Sequence, residues 1–154
     1  MPTRLSQRFP PDYTGWPPAM APQDFRIWRA WYPKFQPHPE AIYFDVGVGA
    51  GRPAPETATP DQRKYWLRVT QKRIDALLIY PDHLRLIEMR HDASINALGR
   101  LLTYKALLES DNPFGLPIKV YLVTDNHDRD LAALCARHRI HYTVIDLPDL
   151  ELEA

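Results

Sequence analysis

The sequence predicts a mixed α/β protein with a central β-sheet flanked by helices. Residues 70–80 and 84–89 are rich in residues that suit a pleated, half-buried surface, and the Pro-Asp-His turn between them predicts an antiparallel hairpin. Residues 94–109 then repeat apolar side chains at helical spacing. Residues 118–145 follow the pattern strand, helix, strand, which predicts a right-handed crossover onto the same sheet.

Residues 1–40 precede this domain and differ from it in composition. Twelve of the sixteen prolines lie before residue 61. Because proline lacks a backbone donor and interrupts helices and central strands, we expect an extended Pro/aromatic-rich arm with one short helix at residues 24–31. The sequence therefore divides into an arm, residues 1–40, and a domain, residues 41–154.

The arm also carries aromatic side chains that need a surface to cover them. That surface is either the protein's own sheet or another subunit, and composition favours neither. We predict that the arm binds other protein subunits within a multi-subunit assembly. The residues assigned to this contact are Trp16, Trp28, Trp31 and Tyr32.

Two elements lead from the arm into the hairpin. Residues 41–48 alternate apolar with small or polar side chains, which predicts a strand at an edge of the sheet. The glycines that follow lack the spacing of a dinucleotide-binding loop and predict a flexible turn. Thr59, Pro60 and Gln62 have the spacing of a helix capping box, so a short helix is expected from residue 60 to about residue 68.

The hairpin brings two acidic side chains together. Side chains alternate along a strand, so Gln71, Arg73 and Asp75 share one face of the first strand, and Glu88 and Arg90 share one face of the second. Asp75 and Glu88 then converge. Because two carboxylates shielded from water repel each other, they need a cation or a basic neighbour to stay ionised, and Mg²⁺ is the usual solution.

The helix at residues 94–109 follows the hairpin directly. Its apolar stripe consists of Ala97, Leu101, Tyr104 and Leu108. Arg100 lies on the same side of the helix, so we expect it near the carboxylates. There it lines the site or forms a salt bridge to Glu88 or Asp75.

The last part of the chain predicts a strand, a helix and a strand. Residues 118–124 have the nearly continuous apolar run of a buried parallel strand. Asp125 or Asn126 is expected to cap a helix at about residues 128–138, and residues 140–145 form the last strand. His91 follows the second hairpin strand and is either a proton carrier for the site or an exposed residue at a strand end.

The stretch 71–104 resembles the PD-(D/E)XK nuclease superfamily, whose pattern is an Asp on one strand, Glu-x-Lys on the next, and then a helix that often carries Gln and Tyr. The matching residues are Asp75, Glu88, Arg90 in the lysine position, Arg100 in the Gln position, and Tyr104. The resemblance implies a restriction-endonuclease-like core. It also implies a site in which Asp75 and Glu88 bind Mg²⁺, Arg90 contacts phosphate, and further residues line the site. The lining residues are Gln71, Arg73, Arg100 and Tyr104.

Two arginines stand where the family pattern has Lys and Gln. A guanidinium is a poor proton shuttle, and two of them beside two carboxylates neutralise the pocket without a metal. The arm, the first hairpin strand and the following helix together resemble small members of this superfamily that tailed bacteriophages encode. We therefore expect a structural or assembly protein of a phage particle, in its head-to-tail or tail region, on a catalytically degraded domain without a cofactor. The alternative is a Mg²⁺-dependent DNA endonuclease or exonuclease.

Composition limits the cellular setting. No stretch approaches the ~20 apolar residues of a membrane span, and residues 1–20 lack the apolar region of a signal peptide. The single cysteine, Cys135, excludes an intramolecular disulfide and suits a reducing compartment. We expect the protein in a virion or in the host cytoplasm.

Charge is unevenly distributed although the formal net charge is zero. Residues 63–105 contain nine basic and four acidic residues, whereas residues 106–154 contain four basic and nine acidic residues. The basic half is either a nucleic-acid face, which makes DNA a possible partner, or a surface complementary to the acidic half of the same or a neighbouring subunit.

Overall fold

The computed structural model describes residues 3–35 and 38–147. Within these residues the elements are β1 (Arg8–Phe9), α1 (Pro22–Phe35), β2 (Ala41–Val48), α2 (Pro60–Thr70), β3 (Lys72–Ile79), β4 (Leu84–Arg90), α3 (Ile95–Ser110), β5 (Ile118–Thr124), α4 (Arg129–Arg137) and β6 (Ile140–Val144). The six strands form one sheet in the order of the chain. Strands β1 to β4 are antiparallel, and β4, β5 and β6 are parallel. The predicted mixed sheet, its hairpin and the parallel pairing of the last two strands are confirmed.

The sheet buries both of its faces. One face packs against α3 and α4 through residues such as Leu101, Leu108 and Leu131. The other face packs against α1 through Ile27, Trp28 and Trp31. Helices therefore cover the sheet on both sides, which explains why its central strands alternate little in polarity.

The short helix predicted at residues 24–31 of the arm is confirmed, but it is longer than predicted and leaves less of the arm extended. Residues 22–35 form a helix of 14 residues that begins at Pro22 and contains Pro33 near its end. Proline is suited to the first turn of a helix, where its missing N–H is not needed as a donor. Pro33 lies in the last turn, so it interrupts the helix close to its end. Burial of Trp28 and Trp31 stabilises the helix by roughly 2–3 kcal/mol each, which offsets the ~3 kcal/mol that an interior proline costs.

Strand β2 is not the edge strand that its sequence predicts. Strand β1 pairs with it at Arg8↔Tyr43 and Phe9↔Ile42. Arg4 forms a further antiparallel bridge with Gly47. The N-terminal residues thus continue the sheet beyond β2, because paired backbone groups are more stable than an open edge.

Strands β2 and β3 share a kink. Phe44 pairs with Ala76 and packs on the α1 face, whereas Val46 pairs with Ile74 and packs on the α3 face. Between these pairs lies Asp45, whose φ is 53°. This backbone conformation is uncommon outside glycine and shifts the alternation of side chains by one position. Asp75 lies at the same level of the sheet, so the kink controls where its carboxyl group points.

Three helix caps test the sequence predictions. Thr59 and Gln62 form the predicted capping box of α2, and Ser94 caps α3. The cap of α4 is Asp128, whose side chain accepts from the amide of Leu131. The prediction of Asp125 or Asn126 as this cap is wrong, because Asp125 is engaged by His91 and the amide of Asp92 instead.

Among the helices of the described residues, none has the length and apolarity needed to cross a membrane.

Candidate functional site

Asp75 and Glu88 meet between β3 and β4. The register places Ala76 opposite Ile87, one step before these two residues. Asp75 Oδ2 accepts a hydrogen bond from the Met89 amide at 3.0 Å. The Glu88 side chain is 2% exposed. The two carboxyl groups therefore lie together in a region that water barely reaches.

The surroundings of Asp75 make its carboxyl group a weaker acid. Burial, followed by the negative charge of Glu88 and a hydrogen bond to it, holds the pKa of Asp75 well above its ordinary value. The Met89 amide acts in the opposite direction but does not outweigh these effects. The buried carboxyl group of Asp75 therefore favours its protonated form more than a free carboxyl group does.

Arg90 forms an ion pair with Glu88. Its Nη2 donates to Glu88 Oε1 at 3.2 Å, since both side chains project from the same face of β4. The guanidinium of Arg90 is therefore the cation beside Glu88, a position that the sequence suggested for Arg100. Arg100 itself is exposed, and no bond from it to Asp75 or Glu88 occurs within residues 3–35 and 38–147.

Tyr104 completes the surroundings of the pair from helix α3. Burial and then the charge of Glu88 raise the pKa of Tyr104, while Arg100 and Arg90 lower it. Both arginines and both carboxyl groups therefore lie within electrostatic range of this hydroxyl. The structure gathers Asp75, Glu88, Arg90 and Tyr104 in one region, with Arg100 at its rim.

Gln71 and Arg73 have other contacts. Gln71 is buried, and its Nε2 donates to the carbonyl of Gly49 at 2.9 Å. Arg73 pairs with Asp45 at 3.2 Å and donates to the carbonyl of Arg68 at 2.6 Å. These side chains connect the kinked end of β2 to helix α2.

The carboxyl pair offers oxygen ligands that a Mg²⁺ ion could use. One observation favours a cation: Glu88 Oε2 is buried without a hydrogen-bond partner in the described part of the chain. Against it, Glu88 Oε1 accepts from Arg90 and Asp75 Oδ2 accepts from the Met89 amide. No group of three or more His, Cys, Asp or Glu side chains in the described residues is arranged to hold a metal. Mg²⁺ completes its octahedral shell with water and substrate oxygens, so what weakens a metal site here is that an N–H donor already engages one oxygen of each carboxyl group.

A polar network lies at the carboxyl ends of β4 and β5. His91 Nδ1 is 2.6 Å from Asp125 Oδ2, and Asp125 Oδ1 accepts from the Asp92 amide at 2.8 Å. Asn126 Nδ2 donates to Asp92 Oδ1 at 2.8 Å. Although burial acts to raise it, the pKa of Asp125 is lowered by the hydrogen bonds from Asp92 and His91. Asp125 therefore orients the His91 ring, a contact that only the parallel pairing of β4 with β5 creates.

Helix α2 is a surface feature that the sequence interpretation missed. The structure describes all of residues 60–70, and none of their side chains is buried. Tyr65 is 65% exposed, Val69 is 47% exposed and Trp66 is 37% exposed. The sequence signal for this exposed surface was the adjacent pair Tyr65 and Trp66 within a basic helix. The same two residues fit a short connecting helix equally well.

Two surface cavities adjoin along this helix. The first, of about 450 Å³, is lined by Pro55, Thr57, Ala58, Asp61, Gln62, Tyr65 and Trp66. The second, of about 350 Å³, is lined by Arg4, Asp61, Lys64, Tyr65 and Arg68. Asp61 and Tyr65 line both cavities, so an apolar recess lies directly beside a basic one.

No protein-family model, curated protein or solved structure matches the chain.

The four aromatic residues assigned to partner contact divide into two groups. Trp28 and Trp31 are each 3% exposed and pack inside the protein, where Trp28 contacts the Phe44 ring edge-on. Trp16 is 52% exposed. Tyr32 is partly buried and donates to the carbonyl of Pro11. The arm thus uses its two central tryptophans to cover its own sheet.

Proposed function

We propose that the chain is a structural or assembly protein of a tailed-phage particle, in its head-to-tail or tail region, built on a catalytically degraded nuclease-like domain. The observation that carries the proposal is helix α2, which presents Tyr65, Trp66 and Val69 to the surface and buries no side chain. An isolated helix of this length is marginal in water, and helices in proteins gain most of their stability from packing one face. A partner protein that covers this face supplies that packing.

The order of elements supports a restriction-endonuclease-like core. Helix α1 precedes the antiparallel strands β2, β3 and β4, which are followed by α3 and by β5 parallel to β4. The carboxyl pair lies on the two strands expected from the resemblance. The raised pKa of Asp75 and the contact between Glu88 and Arg90 support a site that has lost metal chemistry. Placement in a phage particle rests on the resemblance of the sequence.

The assembly role is tested by a double substitution on α2, Tyr65→Ser with Trp66→Ser. Both side chains are accessible, so we expect the free energy of unfolding to change by less than about 1 kcal/mol. Incorporation of the variant into particles, measured by quantitative mass spectrometry of purified particles, is expected to be lost. Ile95→Ser, at an exposed apolar position on α3, is the matched control. Wild-type incorporation of the α2 variant would contradict the proposed role.

A second candidate function is that of a Mg²⁺-dependent nuclease, because Oε2 of Glu88 has no hydrogen-bond partner within the described residues. Its test is the melting temperature of the wild-type protein during titration with Mg²⁺ or Mn²⁺, with Asp75→Asn as the comparison. From the donor set we expect no metal-dependent shift. A rise of several degrees that Asp75→Asn abolishes, together with metal-dependent cleavage of DNA, would establish the nuclease instead.

A further inference from the structure

The α1 side of the sheet presents polar side chains where strands β4, β5 and β6 begin. Arg85 pairs with Lys119 across β4 and β5, and Tyr121 pairs with His141 across β5 and β6. Paired residues of parallel strands point to the same side of a sheet, and so do residues two apart on one strand. Lys119 and His141 are exposed, whereas Arg85 and Tyr121 are partly buried. These four residues define a surface that we call the β4–β6 face.

Rings and a guanidinium form a continuous stack on this face. The rings of His83 and Tyr80 lie parallel, with their centroids 4.4 Å apart. The guanidinium carbon of Arg85 lies 4.4 Å from the centroid of Tyr80 and 5.2 Å from that of Tyr121. The rings of Tyr121 and His141 then stack at 4.3 Å. The stack ends at His141, which has one side of its ring on Tyr121 and, because it is exposed, turns the other side to solvent.

The positive charges of the β4–β6 face are not taken up by carboxylates. Among the described residues, neither Arg85 nor Lys119 forms an ion pair with an Asp or a Glu. Arg85 Nε donates to Nε2 of His83 at 3.1 Å, which fixes the position of the guanidinium. Two cations of this kind, held side by side on neighbouring strands, attract an anionic ligand.

His141 contributes a ring rather than a charge. Burial, followed by the positive charges of Lys119 and Arg85, lowers the pKa of His141 from its ordinary value. Because that ordinary value is already below 7, the imidazole is largely uncharged at neutral pH. The β4–β6 face therefore combines fixed cations with a neutral, flat ring that is open on one side.

This combination matches the chemistry of a single-stranded nucleic acid. Its phosphates pair with Lys and Arg, and its unpaired bases stack on aromatic rings, including that of His. In a duplex the bases stack on one another, so they do not reach a ring on a protein surface. An acidic peptide supplies negative charge, but its carboxylates have no use for a flat ring beside the cations.

We propose that the β4–β6 face binds single-stranded nucleic acid, with a base stacked on the open side of His141 and phosphates paired with Lys119 and Arg85. The site is distinct from the carboxyl pair, because Glu88 projects from the opposite side of β4. It also shares no residue with the exposed surface of helix α2. The inference therefore does not depend on the proposed assembly role.

Fluorescence anisotropy of a labelled oligothymidylate of about ten nucleotides tests the proposal. The full chain is expected to bind it, with an affinity that falls as the salt concentration rises. Lys119→Ala is expected to weaken binding and to make the slope of log K against log salt shallower by about 0.7, because one phosphate contact is lost. His141→Ala is expected to weaken binding about 5- to 150-fold through the loss of stacking. His141→Phe keeps a ring and is expected to bind as the wild type does.

Helix α2 supplies the matched control, because it also combines exposed rings with cations. The double variant Tyr65→Ser with Trp66→Ser is expected to keep wild-type affinity for the oligothymidylate. Lys72→Ala, which removes an exposed lysine from β3, is expected to keep it as well. The melting temperature of each variant verifies that it is folded.

Three outcomes overturn the proposal. The first is a wild-type protein that does not bind the oligothymidylate at low salt. The second is an α2 variant that loses binding while His141→Ala keeps it, which would place the nucleic acid on α2. The third is a polyglutamate of equal charge that binds as tightly as the oligothymidylate, with His141→Ala weakening neither ligand. In that case the β4–β6 face binds an acidic protein instead.

Discussion

At the scale of single residues, the carboxyl pair shows how neighbours decide chemistry. Asp75 and Glu88 are the residue types of a metal site, yet Glu88 pairs with Arg90 at 3.2 Å and burial raises the pKa of Asp75. The spacing of Glu88 and Arg90 on one strand face makes their contact predictable. The raised pKa of Asp75 could not be predicted from the sequence, because it depends on burial that only the packed structure creates.

Replacement of Asp75 by asparagine is expected to stabilise the protein at neutral pH. The folded-state pKa of Asp75 lies above that of the unfolded chain, so its favourable contribution is complete only below about pH 4 and is lost as the pH rises through the folded-state pKa. Asparagine keeps a donor for Glu88 and an acceptor for the Met89 amide, but it cannot lose a proton.

Thermal unfolding of Asp75→Asn and wild-type protein between pH 4 and pH 8 measures this effect. The melting temperature of the variant is expected to exceed that of the wild type at pH 8, and the difference to shrink toward pH 4. Asp82→Asn is the control, because the pKa of the exposed Asp82 is lowered by its hydrogen bond to His83 and the substitution brings no such gain. A difference that grows on acidification would show that Asp75 is ionised in the folded protein.

At the scale of elements, proline content misled the interpretation of α1. Proline restricts a helix locally, but the free energy of a helix also depends on what its apolar face contacts. Ile27, Trp28 and Trp31 share the buried face of α1 and lie against the sheet. Helix α2 is the reverse case: its capping box was predicted from three residues, whereas its lack of buried side chains was not.

Two tryptophans of the N-terminal segment separate packing from partner contact. Trp28→Ala removes a buried ring and is expected to lower the free energy of unfolding by about 3–5 kcal/mol. Trp16→Ala changes an exposed ring, and we expect a loss of less than about 1 kcal/mol. Urea denaturation followed by circular dichroism measures both. Equal effects would mean that the N-terminal segment does not pack on the sheet as described.

At the scale of the whole molecule, segments distant in the chain meet at one end of the sheet. The parallel pairing of β4 with β5 brings His91 to Asp125, and an N-terminal bridge brings Arg4 to Gly47 beside α2. Long-range pairing of this kind leaves no local pattern in the sequence. The basic half of the chain was visible in composition, but the cavity that Arg4, Lys64 and Arg68 line together was not.

The sequence by itself determined the order and type of most elements, because strand alternation, helical periodicity and capping residues act over a few neighbouring positions. It also determined that Asp75 and Glu88 would meet across the hairpin. The tertiary structure alone decided that α1 covers the sheet, that α2 remains uncovered, and that Arg100 stays exposed. These outcomes depend on which surfaces come into contact. The contacts join residues that are far apart in the chain, and the free energies of burial and of charge pairing determine which of them form.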